Sequence, residues 1–555
     1  HGTNVVGVMA GNGSTTGCSM PAYRYVGIAP EAHIIAVKTN MTDAGILDGV
    51  SYVFQKAAAL GKDAVVNLSL GSQAGPHDGS DAFSSGISAL TGPGRVVVAS
   101  AGNHQEEDIH GKLTTTSTVP GTDRLGFNIP TYKDNTGTLN DYVLIAGWYD
   151  VTASVVVQLR GPNAADTASC GFGSWVQRSS GTSGCTMYIA NQCAPEGFGG
   201  TGTAHQFEVE IYDGVTGQLP RVGNWTINII PNGAPSLGAR VDAWIYAALL
   251  GRSGVQPAMT VGLDHTTMVG DPACGDSVIA AAAHATKASW YSCGVGATCA
   301  YTTPPTLGDI ASFSCVGPRR DGVLKPDISA PGFGVATTHS SFAGAMGTCA
   351  DVDDGVHEVA AGTSFSAPHV SAAAAIFLQA IPGATPSQVK AALLGYARAD
   401  AFTGAVPNPT WGHGKLDIYA ALDHVLPVVT LTSPNAGETL DAGATYDIAW
   451  TATDASGVTA VDLAYSTDGG ATFPNVIATG LANSGVYGWT VPDDPTSTAR
   501  VRVTAHDPFA NQASDVSDAD FTIQTATAVG DPAVAALELE KVQTTPVRGT
   551  GLVGF

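Results

Sequence analysis

Residues 362–370 read Gly-Thr-Ser-Phe-Ser-Ala-Pro-His-Val, and the run from Val370 to Ala380 is almost wholly Ala, Val, Ile, Leu and Phe. A helix that is apolar on most of its faces must lie inside a core, with other layers packed around it. Ser364 falls where such a helix begins. A helix N-terminus carries unpaired N–H groups and a partial positive charge, which suit an oxyanion. Pro368 is expected in the first turn, where its missing N–H costs little. These features make Ser364 a candidate nucleophile at the mouth of a buried helix.

A serine nucleophile needs a base to take its proton and donors to hold the oxyanion. Two stretches supply them. The chain opens His1-Gly-Thr-Asn-Val-Val-Gly-Val-Met-Ala-Gly11, a histidine leading into a small-residue helix. Residues 95–103, Arg-Val-Val-Val-Ala-Ser-Ala-Gly-Asn, read as a buried strand ending at the carboxamide of Asn103. His369, five residues beyond Ser364, is expected to pack or hydrogen-bond near the helix start.

His1-Gly2-Thr3, Ser100-Ala101-Gly102-Asn103 and Gly362-Thr363-Ser364 through His369 resemble the histidine, oxyanion and serine motifs of the subtilisin family of serine peptidases. Val26–Pro30 with Ala36–Lys38, Asn67–Gly71 and Lys325–Gly332 match its linking segments. The resemblance covers residues 1–103 and 255–425. It implies that Ser69, Leu70 and Gly71 pair with substrate backbone and that Ala101 and Gly102, with Asn103, wall the primary specificity pocket. It also implies a triad in the order Asp, His, Ser. No residue precedes His1, so the expectation is a fragment that begins inside the catalytic domain, lacks the orienting Asp and is impaired as it stands. Asn4 replaces a second His of the family. A sedolisin-type acid peptidase is rejected because it would carry Asp in place of Asn103.

With 47 acidic and 24 basic residues the formal charge is −23, which argues against nucleic acid and anionic membranes as partners. No apolar stretch reaches membrane-spanning length. The nine cysteines form no CxxC pair, so a zinc site is not expected. They read as disulfides of an oxidising compartment, with connectivity open, and the odd count leaves one thiol over or its partner in the missing part. Asp351-Val-Asp-Asp-Gly-Val-His-Glu358 is read as a solvated acidic turn rather than a calcium loop. No cofactor is required, and structural calcium is assigned to no residue.

In chain order, 33–38 reads as a buried strand, Ile46–Leu60 as an amphipathic helix, 64–70 as a strand, Phe83–Leu90 as a helix and Arg95–Ala99 as a strand. This alternation predicts a parallel α/β sheet, with sites at the strands' carboxyl ends. Residues 105–253 hold short alternating runs that predict an antiparallel, jelly-roll-like β-sandwich inserted into the peptidase domain (1–104 and 254–425). Val278–Ala282 and Ile310–Ser314 are expected as resumed strands, and a helix from Pro386 is expected to be capped by Ser387. Residues 427–524 read as an immunoglobulin or fibronectin III-like domain, and 525–555 as a linker and the start of a further β-domain. The resulting expectation is a monomeric, secreted, subtilisin-like serine endopeptidase acting on proteins or peptides. Its rival is a catalytically impaired surface protein that uses these domains for adhesion.

Overall fold

The computed structural model describes residues 1–525, except 16, 19–20, 136, 138, 164–165, 180–184, 194–199, 215–218, 251–254, 345–346, 348, 353–354, 424–425, 455–456 and 508–510. The segment 526–555, read above as linker and partial β-domain, lies outside the described residues. The chain divides into two units, His1–Val425 and Leu426–Phe555.

The first unit is built on a five-stranded sheet in the order Ala64–Leu68, Arg95–Ser100, Val278–Ala285, Ile328–Thr338, His357–Ala361. The first four strands are parallel and the last is antiparallel. Strand alternation splits Arg95–Ser100 between two cores. Val96 and Val98 face helix α4 (Thr363–Ala380), while Val97 and Ala99 face α2 (Asp43–Ala59) and α3 (Ala82–Leu90). The α4 face of the sheet meets Ala367, Val370, Ala373, Ala374 and Phe377, so the helix is the buried element its composition demands. Helix α1 (Gly2–Ala10) lies along Ile328–Thr338, and α5 (Pro386–Gly395) and α6 (Ile418–Asp423) close the unit.

Between His110 and Val261 the chain forms two sheets, one of six strands and one of five. Every pairing in them is antiparallel. Their inner faces share Phe127, Ile145, Val157, Val209, Trp225 and Ile227, which makes them a β-sandwich. That core is continuous with the α2 and α3 side of the parallel sheet. The second unit is all-β. A sheet of Val428–Ser433, Thr445–Thr453 and Val486–Thr490 faces a second sheet around Ala460–Ser466 and Thr496–His506, and Trp450, Leu463, Trp489, Val501 and Phe521 fill its core.

Several sequence expectations fail for definable reasons. Residues 33–38 form no strand, and Ile34 and Val37 are exposed. A strand exists only as a pairing, and the edge strand Ala64–Leu68 pairs with Arg95–Ser100 alone among the described residues. Ile310 makes one bridge to His284, and residues 311–314 form no strand. They meet only the end of Val278–Ala285, whose earlier residues 278–281 pair with Arg95–Ser100: the Ala285 N–H donates to the Asp309 carbonyl, the Ala311 N–H to the Ala283 carbonyl, and the Ala283 N–H to Ser314 Oγ, so the contact is too short to make a strand. The cap of α5 is Thr385, not Ser387. Its Oγ accepts from Gln388 N while Gln388 reaches back to the Thr385 N–H, with Pro386 opening the helix. Two disulfides form, Cys18–Cys293 and Cys299–Cys349. Cys170, Cys185, Cys193, Cys274 and Cys315 are buried thiols, so five are left over rather than one.

Candidate active site

Helix α4 begins with Gly362 as its N-cap, at φ +143°, a conformation that favours glycine. With no side chain of its own to cap the helix, Gly362 leaves that task to Asn103. The Thr363 N–H and the Thr363 hydroxyl both donate to Asn103 Oδ1, each at 2.8 Å. A backbone N–H can only donate, so the atom it meets is the amide oxygen, and the Asn103 NH2 takes part in no hydrogen bond among the described residues. Thr363 Oγ1 in turn accepts from the Gly102 N–H at 3.2 Å. The N–H of Ser364 takes part in no hydrogen bond among the described residues, while that of Phe365 turns back to the Gly362 carbonyl.

Pro368 is not in the first turn. It lies inside α4, five residues beyond Thr363. An α-helical N–H at 368 would bond to the carbonyl of Ser364, and proline has none. Ser69 Oγ supplies the missing donor, at 2.7 Å from the Ser364 carbonyl oxygen. Asn67 Nδ2 donates to Ser69 Oγ (2.9 Å), and Ser371 Oγ, from α4 itself, donates to Asn67 Oδ1 (3.0 Å).

Beside Ser364 opens a cavity. It brings together Leu70, Gly71, Ala101, Gly102, Asn103 and Ser364, residues singled out from three distant segments of the sequence. Ser72, Gln73, His104 and Gly270 also line it, and sequence reasoning passed over them. The only signal for the last was a Gly-Asp-Pro turn, a common feature of loops. Beneath this wall Cys315 Sγ accepts from the His104 N–H at 3.2 Å, and burial pushes its thiol up to about 12.

His1 is the N-cap of α1 and is exposed. Its ring stands edge-on to Phe365, the residue after Ser364, at 6.2 Å between centroids. It does not line the cavity, and no hydrogen bond joins its ring to Ser364 or to a carboxylate among the described residues. Helix α1 is fixed by side chains of the strands Ile328–Thr338 and His357–Ala361. Thr338 Oγ1 donates to the Thr3 carbonyl at 2.8 Å, Thr337 Oγ1 donates to the Asn4 carbonyl, and Asn4 Nδ2 donates to Glu358. His369 is bound through Nδ1 to the Phe365 carbonyl at 2.7 Å, and burial pushes it down to about 4, which leaves it neutral. Among the described residues no cluster of His, Cys, Asp or Glu is gathered to hold a metal ion, and no helix is long and apolar enough to cross a membrane.

A sheet whose first four strands are parallel, with an almost fully buried helix behind it, places a serine at that helix's N-terminus beside the cavity. The chain belongs to the subtilase family, whose model matches residues 1–414, and a bacterial Ig domain matches residues 427–505. The minor extracellular protease Vpr of Bacillus subtilis (strain 168) is 27% identical over 431 residues, covering 76% of this chain and 45% of that protein. The subtilisin-like protease SBT4.15 of Arabidopsis thaliana is 34% identical over 118 residues, 21% of this chain and 15% of its own length. The chain thus spans less than half the length of these curated relatives. Among solved structures, the CspB protease of Clostridium perfringens aligns with a TM-score of 0.57 at 20% identity, covering 77% of this chain and 81% of that one, which shows a shared fold.

Proposed function

We propose that this chain is the catalytic part of a secreted serine endopeptidase. The observation that carries the reading is the convergence of Leu70–Gly71, Ala101–Asn103 and Ser364 on one cavity, with the Asn103 NH2 left free beside the free N–H of Ser364. Ser364 Oγ attacks the scissile carbonyl and forms the acyl bond. His1 takes the serine proton and returns it to the leaving amine, and the Asn103 NH2 and Ser364 N–H hold the oxyanion. Water then attacks the acyl group by the reverse sequence and frees Ser364. Substrate backbone lies along Ser69–Gly71, and the side chain before the scissile bond enters the cavity. Support for His1 is its place beside Phe365. The orienting carboxylate is assigned to no residue of this chain. Two disulfides, which tie the Ser289–Ala300 hairpin to Cys18 and Cys349, and an extracellular relative support secretion.

The test is labelling of the full-length protein with a fluorophosphonate probe, with Ser364→Ala as control. Labelling that vanishes in the Ala variant is the expected result. A folded full-length protein that takes no label overturns the peptidase reading.

A further inference from the structure

The loop from Gly71 to Asp78 forms one side of the cavity, and it is held from two directions. On the inner side, Ser72 exchanges two backbone hydrogen bonds with Asp271 (2.8 and 3.0 Å), and Gln73 Nε2 donates to the Met268 carbonyl at 3.0 Å. The Arg320 N–H also donates to the His77 carbonyl at 2.8 Å, and on the outer side the side-chain partners come from the six-stranded sheet of the sandwich and the turn leading into it. The indole N–H of Trp148 donates to the Ala74 carbonyl at 3.0 Å. The His77 ring stacks on Trp244 at 3.9 Å and 4°, and the far face of Trp244 stacks on His110 at 4.4 Å and 6°. His110 Nε2 lies 3.1 Å from a carboxylate oxygen of Asp242, and Thr203 Oγ1 donates to Asp78 Oδ2 at 2.9 Å. Trp148 is 4% exposed, and His77, His110 and Trp244 are fully buried.

The connections of the sandwich point the same way. The chain passes into its first strand, His110–Thr114, directly from Asn103 and His104, and comes back from its last strand, Ala258–Val261, to Gly270. Asn103, His104 and Gly270 all line the cavity. Both stalks of the sandwich are therefore walls of the same cleft, and its outer sheet grips a third wall. A loop bound on both sides has few conformations to lose when substrate arrives, and that preorganisation is worth affinity.

We propose that the sandwich is a working part of the substrate site rather than a spacer, and that Trp148 is a positioning residue that sets specificity by fixing the 71–78 loop. This rests on the reading of the cavity as the peptide-binding cleft. The experiment compares Trp148→Phe with Trp225→Phe in the full-length protein. Trp225 also spends its indole N–H on a backbone carbonyl, that of Arg221 at 2.8 Å, but deep within the sandwich. Kinetics are measured on peptides that vary the residue before the scissile bond, alongside the rate of fluorophosphonate labelling, which needs no filled pocket.

In Trp148→Phe, KM is expected to rise about 3- to 10-fold, the size of one net hydrogen bond, for side chains that fill the cavity. It should stay near wild type for glycine at that position, with labelling unchanged. Trp225→Phe should lower Tm and leave KM alone. Equal KM values in the two variants, or labelling slowed as much as cleavage, would overturn the proposal. If Trp148→Phe does not fold, Thr203→Ala is read against the same criteria. A wild-type protein that neither labels nor cleaves overturns the peptidase reading itself, an outcome distinct from a wild type that cleaves and a Trp148→Phe that matches it.

Discussion

The Ser364 carbonyl accepts from Ser69 because Pro368, four residues on, has no N–H to offer. Ser69 thus does more than stand in a stretch that resembles a substrate-binding strand. Its hydroxyl helps set the pitch of the turn that carries the proposed nucleophile. Ser69→Ala is expected to lower kcat about 3- to 10-fold with KM little changed, since one net hydrogen bond is worth about 0.5–1.5 kcal/mol. Ser69→Thr keeps the hydroxyl and should keep the rate. The decisive variant is Ser69→Ala combined with Pro368→Ala, which returns an N–H to position 368 and should recover most of the loss. Full activity in Ser69→Ala, or no recovery in a folded double variant, would count against this account. The motif was legible in the sequence, because Gly362–Val370 is specific. The hydrogen bond was not, because its partners are 295 residues apart and no local pattern announces such a pairing.

At the scale of elements, α1 shows how closely a helix can be laid on a strand. A Cβ on Gly7 would fall 2.2 Å from Thr338 Oγ1 and 2.8 Å from the Thr338 backbone nitrogen. Gly7→Ala should gain about 1 kcal/mol of helix propensity, but overpacking costs about 1–3 kcal/mol, and a backbone atom cannot swing aside. Helix α1 must then shift, and His1 with it. The expected result is a fall in kcat of about 10- to 100-fold, as a displacement near 1 Å can cause, with only a small drop in Tm. Wild-type kcat in this variant would separate α1 from the chemistry. Helices α2 and α3 were legible from their 3.6-residue period, and the strands at 64–68 and 95–100 from short, β-branched apolar runs. Residues 33–38 carry a strand's composition just as clearly, yet composition cannot guarantee the neighbour that a strand requires. Ile310–Ser314 likewise finds only the short end of Val278–Ala285 to pair with, one bridge long.

Across the whole molecule the acidic excess meets a core that also holds acids. Glu208 is 2% exposed, on the six-stranded sheet of the sandwich, and its Oε1 accepts from the Tyr246 hydroxyl at 2.7 Å. Burial outweighs that hydrogen bond and pushes its carboxyl up to about 8. The folded protein therefore keeps a proton that the unfolded chain releases near the ordinary glutamate value. The stability linked to that proton is complete below about pH 4.5 and is lost as pH rises to about 8, on the order of several kcal/mol. Tm of the wild type should fall more steeply between pH 5 and 8 than that of Glu208→Gln, as calorimetry would show, and parallel curves would refute the assignment.

The wide dispersal of the cleft has a consequence for biogenesis. Its walls come from residues 70–73, 100–104, 270 and 363–364, and the strand Arg95–Ser100 finds its second neighbour, Val278–Ala285, only after the entire sandwich has been made. A nascent chain emerging from the ribosome holds no assembled cleft until the start of α4 appears. The proposed substrate cleft is among the last parts of this unit to be completed, and the sandwich that braces it is already in place when it is.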